Sequence, residues 1–138
     1  MNRIVNIVSF TFIIFVLFSI ILISCESSTT SGTTNITFPP ENIDYIQHVQ
    51  PFLKYNCGYS GCHSSFTRAA GLSVDDYFSV MSYIGFVVPM QPDASTLVQI
   101  LENKLPHSVF FYRGNITQNQ IQGIRKWIEE GALLNPKK

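Results

Sequence analysis

The sequence predicts a mainly α domain, and three observations carry that prediction. Apolar residues recur at helical spacing near the start of the domain, at Ile43, Ile46, Val49, Phe52 and Leu53. A second stripe, Ile121, Ile124, Trp127 and Ile128, lies near its end. Between them no stretch alternates apolar and polar residues over the length of a strand, so no sheet is expected.

The 138 residues divide into three parts by composition. Residues 1–24 have the pattern of a signal peptide: Arg3 gives a basic start, Ile4 to Ile23 is almost wholly apolar, and Ser24 is small. An uncleaved transmembrane anchor competes with it, because the apolar run is about long enough to span a bilayer. Leu22-Ile23-Ser24-Cys25 resembles the bacterial lipoprotein signal. In that family the cysteine becomes the new amino terminus and carries acyl chains. The resemblance implies that Cys25 is lipid-modified and binds the chain to a membrane of the bacterial cell envelope, on the periplasmic or outer-surface side. Residues 25–40 are rich in Ser and Thr and nearly lack apolar side chains, so they are expected to form a flexible tether, closed by Pro39-Pro40. Residues 41–138 are then one small domain, of a size often helped by a disulfide, metal or cofactor.

Its first helix spans Ile43 to Asn56, either kinked at Pro51 or split there into two short helices with Pro51 in a first turn. Ser73-Val74-Asp75-Asp76 predicts the next start, with an acid as cap and a run through Tyr77, Phe78 and Met81 to about Ile84. A loop follows, with a short extended piece at Phe86-Val87-Val88. Asp93 or Ser95 caps a third helix carrying Leu97, Ile100 and Leu101, and Pro106 lies beyond its end. Thr117-Gln118-Asn119-Gln120 is a capping-box pattern for the last helix. Arg125 with Glu129 and Lys126 with Glu130 are expected as pairs on its wet side, and Gly131 as its left-handed stop.

The chemistry is concentrated in Cys57-Gly58-Tyr59-Ser60-Gly61-Cys62-His63. Two thiols followed at once by an imidazole are what covalent attachment of haem c requires, with the histidine as axial ligand to the iron. Four residues separate the cysteines where the usual C-x-x-C-H run has two, and Gly58 and Gly61 are expected to let the extra residues bulge outward. In an oxidising compartment this pair is not expected as free thiols, so a Cys57–Cys62 disulfide is the alternative. Zinc ranks third, because two cysteines and one histidine leave a closed site short of ligands.

The chain resembles a group of small bacterial c-type cytochrome domains. They share a V-x-P-x-L run before the haem motif and a W-I-x-x-G-A ending. Here these are Val49-Gln50-Pro51-Phe52-Leu53 and Trp127-Ile128-Glu129-Glu130-Gly131-Ala132. Gly71-Leu72-Ser73, Val87-Val88-Pro89 and Ser95-Thr96-Leu97 are similar to that group too. The resemblance implies a cytochrome c-like helical domain around a haem crevice, one covalent haem c on Cys57 and Cys62, and His63 as proximal iron ligand.

The group usually places a methionine before the final helix, but here that region reads Lys104-Leu105-Pro106-His107-Ser108-Val109. His107 is the first choice for the distal ligand, Met90 the second, and a vacant position the third. Met81 is expected to fill core and His48 to be a structural histidine. The aromatics, Phe110, Phe111 and Tyr112 among them, suit a haem crevice and an ordinary core equally. A membrane-tethered single-electron carrier with redox protein partners is the expected function. No serine–histidine–acid set, phosphate loop or paired-carboxylate motif argues for an enzyme. The formal net charge of zero argues against a nucleic-acid partner. The alternative is a haem-free lipoprotein stapled by the disulfide and serving as a binding or assembly module.

Overall fold

Pro51 decides how the first helix is built. In the computed structural model, which describes residues 36–107 and 116–136, a π-helical turn Tyr45–Val49 runs straight into helix α1, Gln50–Asn56. Proline has no N–H, and its ring crowds the carbonyl four residues back. The wide turn relieves that crowding, since the Gln50 N–H reaches back to the Tyr45 carbonyl. One continuous helical run with a wide first turn thus replaces the choice between a kinked helix and two short ones. Asp44 starts it, its carboxylate accepting from the Gln47 N–H at 2.8 Å.

Helix α2, Tyr77–Ser82, opens later than Ser73. Its cap is Asp76, whose carboxylate accepts from the Ser79 N–H at 2.9 Å and from the Ser79 hydroxyl at 2.6 Å. Ser73 is buried and accepts from the Asp75 N–H instead. The Ser79 hydroxyl is the largest influence holding the Asp76 carboxyl below its ordinary value of 3.8. A carboxyl lowered in the folded state stabilises the fold above its unfolded value, and that contribution is lost as the pH falls through the lower, folded one. Asp76→Ala is therefore expected to cost about 1 kcal/mol at neutral pH. In urea titrations the gap between parent and variant should close as the solution is acidified below the ordinary carboxylate value.

Helix α3, Thr96–Leu101, follows a 3₁₀ turn at Pro92–Ala94. Ser95 occupies its capping position without capping. Its hydroxyl accepts from the Val88 N–H at 2.9 Å and donates to the Gln91 carbonyl at 3.0 Å, which closes the loop before the helix. Phe86-Val87-Val88 forms no strand, and there is none among the described residues.

Helix α4, Gln118–Glu129, carries the expected Thr117–Gln120 capping box and buries Ile124, Trp127 and Ile128. Gly131 ends it with φ +99°. The two ion pairs expected within the helix give way to partners elsewhere. Arg125 binds Glu102 at 2.8 Å and Asp93 at 2.9 Å. The Glu130 carboxylate accepts from the Asn42 and Ile43 N–H groups at 2.8 and 2.9 Å. Cation-first pairs along a helix are weak, so such partners win.

Trp127 is fully buried in the core, its ring centre 5.6 Å from that of Tyr45, which lies 5.1 Å from that of Tyr77. The indole N–H donates to the Leu133 carbonyl at 2.8 Å. The Tyr45 hydroxyl is buried with no hydrogen-bond partner among the described residues, and burial raises its pKa. The segment expected as the end of the tether belongs to this packing: Phe38 is buried in the core. Asn119 grips its backbone, accepting from the Phe38 N–H at 2.8 Å and donating to its carbonyl at 3.0 Å. Gln120 likewise donates to the Ile36 carbonyl at 3.0 Å. No helix among the described residues is long and apolar enough to cross a membrane. The expected signal peptide, the lipidation site Cys25, and Ser108, Phe110, Phe111 and Tyr112 lie outside the described residues.

Candidate functional site

The cysteine–histidine loop begins by folding back over the end of α1. The Cys57 N–H donates to the Leu53 carbonyl at 2.8 Å. The Gly58 N–H is shared between the Leu53 and Lys54 carbonyls at 3.1 and 3.2 Å. The approach is so close that a Cβ on residue 58 would stand 2.8 Å from the Lys54 carbonyl oxygen. Gly61 serves a different need. Its φ is +90°, and nothing lies within 4 Å of where a Cβ would be. One glycine supplies space and the other a left-handed turn. The Cys62 N–H then donates to the Tyr59 carbonyl at 2.9 Å, and the His63 N–H to the Cys57 carbonyl at 3.1 Å. This last bond ties the histidine back to the helix end. Both cysteines carry half-buried thiols.

His63 is held from several sides. Its carbonyl accepts from the Val74 N–H at 2.9 Å. Its Nδ1 lies 3.1 Å from the Ala69 carbonyl oxygen. A carbonyl has no proton to give, so Nδ1 is the donor in this bond, and in the neutral ring the lone pair is then on Nε2. The turn that presents Ala69 contains left-handed Arg68, Ala70 and Gly71, at φ 48°, 52° and 80°. Left-handed conformations cost non-glycine residues about 1–2 kcal/mol each, and strain of this kind clusters at functional sites. The Tyr83 hydroxyl pins the turn by donating to the Ala70 carbonyl at 3.0 Å. On the other side of the loop the Asp75 carboxylate accepts from the Ser65 N–H, and the Gln50 amide donates to the Asp75 carbonyl at 2.7 Å.

The structure brings His107 to His63, with ring centres 5.8 Å apart and planes tilted by 34°. Met90, the other candidate, is 74 % exposed, with its N–H on the Ile128 carbonyl at 2.7 Å. Met81 packs against the core. His48 is a hydrogen-bonded structural residue: its Nδ1 lies 3.0 Å from the Asp44 nitrogen and 3.2 Å from the Asp44 carbonyl oxygen. Among the described residues no group of three or more His, Cys, Asp or Glu side chains converges on a point where a bare metal ion would sit. A closed zinc site needs four such ligands. An iron already held by a porphyrin asks the protein only for axial side chains.

No family model, curated protein or solved structure matches this chain.

The supports of the site were harder to find in the sequence than its donors. Ala69 contributes a carbonyl, which no side-chain pattern announces. Asp75 belongs to the Ser73–Asp76 run that reads as a helix start; the loop bond to Ser65 depends on a fold that brings residues ten apart together. Tyr83 reaches Ala70 across thirteen positions, again without a local signal.

Proposed function

We propose that this chain is a mono-haem c-type cytochrome with a cytochrome c-like fold, carrying single electrons outside the cytoplasm while tethered to the cell envelope through lipid on Cys25. Cys57 and Cys62 form the thioether bonds, His63 is the proximal ligand and His107 the distal one, ahead of Met90. The observation that carries this reading is the 3.1 Å contact between His63 Nδ1 and the Ala69 carbonyl oxygen. It commits Nδ1 and leaves Nε2 available in a fixed orientation, the arrangement that metal-bound histidines use.

The surrounding residues fit the group. His63 and His107 would hold the iron: their ring centres lie 5.8 Å apart, so the fold brings two imidazoles to one place beside the cysteine pair. Phe66, in the loop after His63, and Ile84, beside Tyr83, are each 97 % exposed. Apolar side chains of this kind, next to the histidine's own supports, suit contact with a porphyrin edge.

Haem c supplies a one-electron ferric–ferrous couple when bound. The chain's part is to fix the axial nitrogens and set the potential through them. Histidine on both sides gives a lower potential than histidine with methionine. Hydrogen bonding of Nδ1 to Ala69 makes Nε2 a stronger donor. The partners are other redox proteins at the same membrane.

Expressing the full chain in a host with periplasmic haem c maturation tests the proposal. A haem stain should survive denaturing electrophoresis, and the joint change of Cys57→Ser and Cys62→Ser should abolish it. Intact mass showing no added porphyrin, while a co-expressed c-type cytochrome is loaded, would overturn the proposal.

A further inference from the structure

The geometry points to the Asp93–Glu102–Lys104–Arg125 charge cluster as the device that holds His107 in front of His63, with Glu102 as its central positioning residue. This inference rests on His107 being the distal ligand, and it addresses how a side chain outside any helix is kept in place.

His107 ends a short strap that leaves α3. Glu102 terminates the helix, Asn103 is left-handed at φ 56°, and the N–H groups of Lys104 and Leu105 both turn back onto the Gln99 carbonyl at 2.7 and 3.2 Å. Pro106 and His107 follow. The backbone bonds attach the strap to its own helix, but they do not attach it to the rest of the domain. The Glu102 carboxylate does so. One oxygen takes Arg125 Nη1 at 2.8 Å and the other takes Lys104 Nζ at 2.6 Å. Arg125 belongs to α4 and also binds Asp93 at 2.9 Å. The Asp93 carbonyl accepts from the Gln99 side chain at 2.8 Å, so the 3₁₀ turn is drawn in too.

Exposed pairs contribute little singly, but networks and partly buried pairs hold better. The Glu102 and Arg125 side chains are only 20 % and 19 % exposed. Lys104, hydrogen-bonded to Glu102, holds its carboxyl below the usual range, so the charge is present at neutral pH. Glu102 acts on His107 through the strap.

The test uses the full, haem-loaded chain. Glu102→Gln keeps the shape and removes the charge. It should leave the denaturing haem stain unchanged, because the thioether positions are untouched. The low-spin ferric signature should weaken, and added imidazole should bind several-fold more tightly as His107 competes less well. Lys104→Gln should shift both readouts in the same direction. Asp76→Ala, which weakens α2 but not the strap, should leave the spectrum alone, and this separates positioning from lost stability. In the haem-free chain, the nuclear Overhauser contact between the His63 and His107 rings should weaken in Glu102→Gln. A stained Glu102→Gln protein with parental low-spin intensity, imidazole affinity and ring contact would refute the inference. An unstained parent chain would instead end the reading of His107 as an iron ligand, and this inference with it.

Discussion

Adding one methyl group at Gly123 is expected to destabilise the domain by about 2–4 kcal/mol, although the same change in an open helix stabilises it. Glycine inside a helix is worse than alanine by about 1 kcal/mol. In α4 the space is already taken. A Cβ on residue 123 would lie 2.1 Å from Cγ of Phe38 and 2.3 Å from its Cβ and Cδ1. The ring cannot swing aside cheaply, because Asn119 holds the Phe38 backbone at both its N–H and its carbonyl. The escape is for the segment to leave the helix. That exposes an aromatic side chain whose burial is worth about 1.5–3 kcal/mol and breaks hydrogen bonds of about 1 kcal/mol each.

A double-mutant cycle gives this prediction a sign test. With Phe38→Gly already in place the Cβ, Cγ and Cδ1 that fill the notch are gone. Gly123→Ala should then stabilise the chain by roughly 0.5–1 kcal/mol through helix propensity alone. The same substitution thus changes sign with the background, as read from urea midpoints. Equal effects in both backgrounds would mean that Phe38 does not seat against α4. The consequence reaches past stability. The docked segment includes Ile36 and Phe38, so the packed domain reaches back before Glu41.

Phe38 also shows where the sequence stops being legible. Among Ser, Thr and Pro a lone phenylalanine has no periodicity, so nothing local marks it as core; its partners, Asn119 and Gly123, lie more than eighty residues away. The last helix was readable because its signals are local: a capping box within four residues, a stripe at helical spacing, a terminal glycine. Arg125 and Glu130 were misassigned for the opposite reason. Their helix offers partners at the right spacing, but Glu102, Asp93 and the Asn42–Ile43 backbone offer better geometry from a distance. The helix start near Ser73 slipped because two acids stand together, and only the fold sends Asp75 to the loop and leaves Asp76 to cap. The candidate residues Cys57, Cys62 and His63 are visible as one short motif, and His107 by residue type. Their supports, the Ala69 carbonyl and side chains such as Asp75, Tyr83 and Glu102, come from positions that no local pattern joins to them.

The two loop glycines should therefore fail in different ways. Gly58→Ala puts a Cβ 2.8 Å from the Lys54 carbonyl oxygen and 3.0 Å from its Cα. These are backbone atoms of α1 and cannot rotate away. The loop has to lift, releasing the bonds from the Gly58 N–H to Leu53 and Lys54. A cost of about 1 kcal/mol follows from losing this one shared backbone hydrogen bond. The lift also moves Cys57 relative to Cys62 and His63, so the haem loading we propose should fall with it. Gly61→Ala meets nothing within 4 Å, and its cost is conformational, at φ +90°. That strain is worth about 1–2 kcal/mol, but the loop keeps its place and loading should persist. Asn tolerates left-handed backbone better than Ala, so Gly61→Asn should recover part of the loss, while no side chain at position 58 should. Urea midpoints and haem-stain yields for the three variants separate the two causes. If Gly58→Ala loads as well as Gly61→Ala, the close approach to α1 is not what aligns the thiols with the histidine.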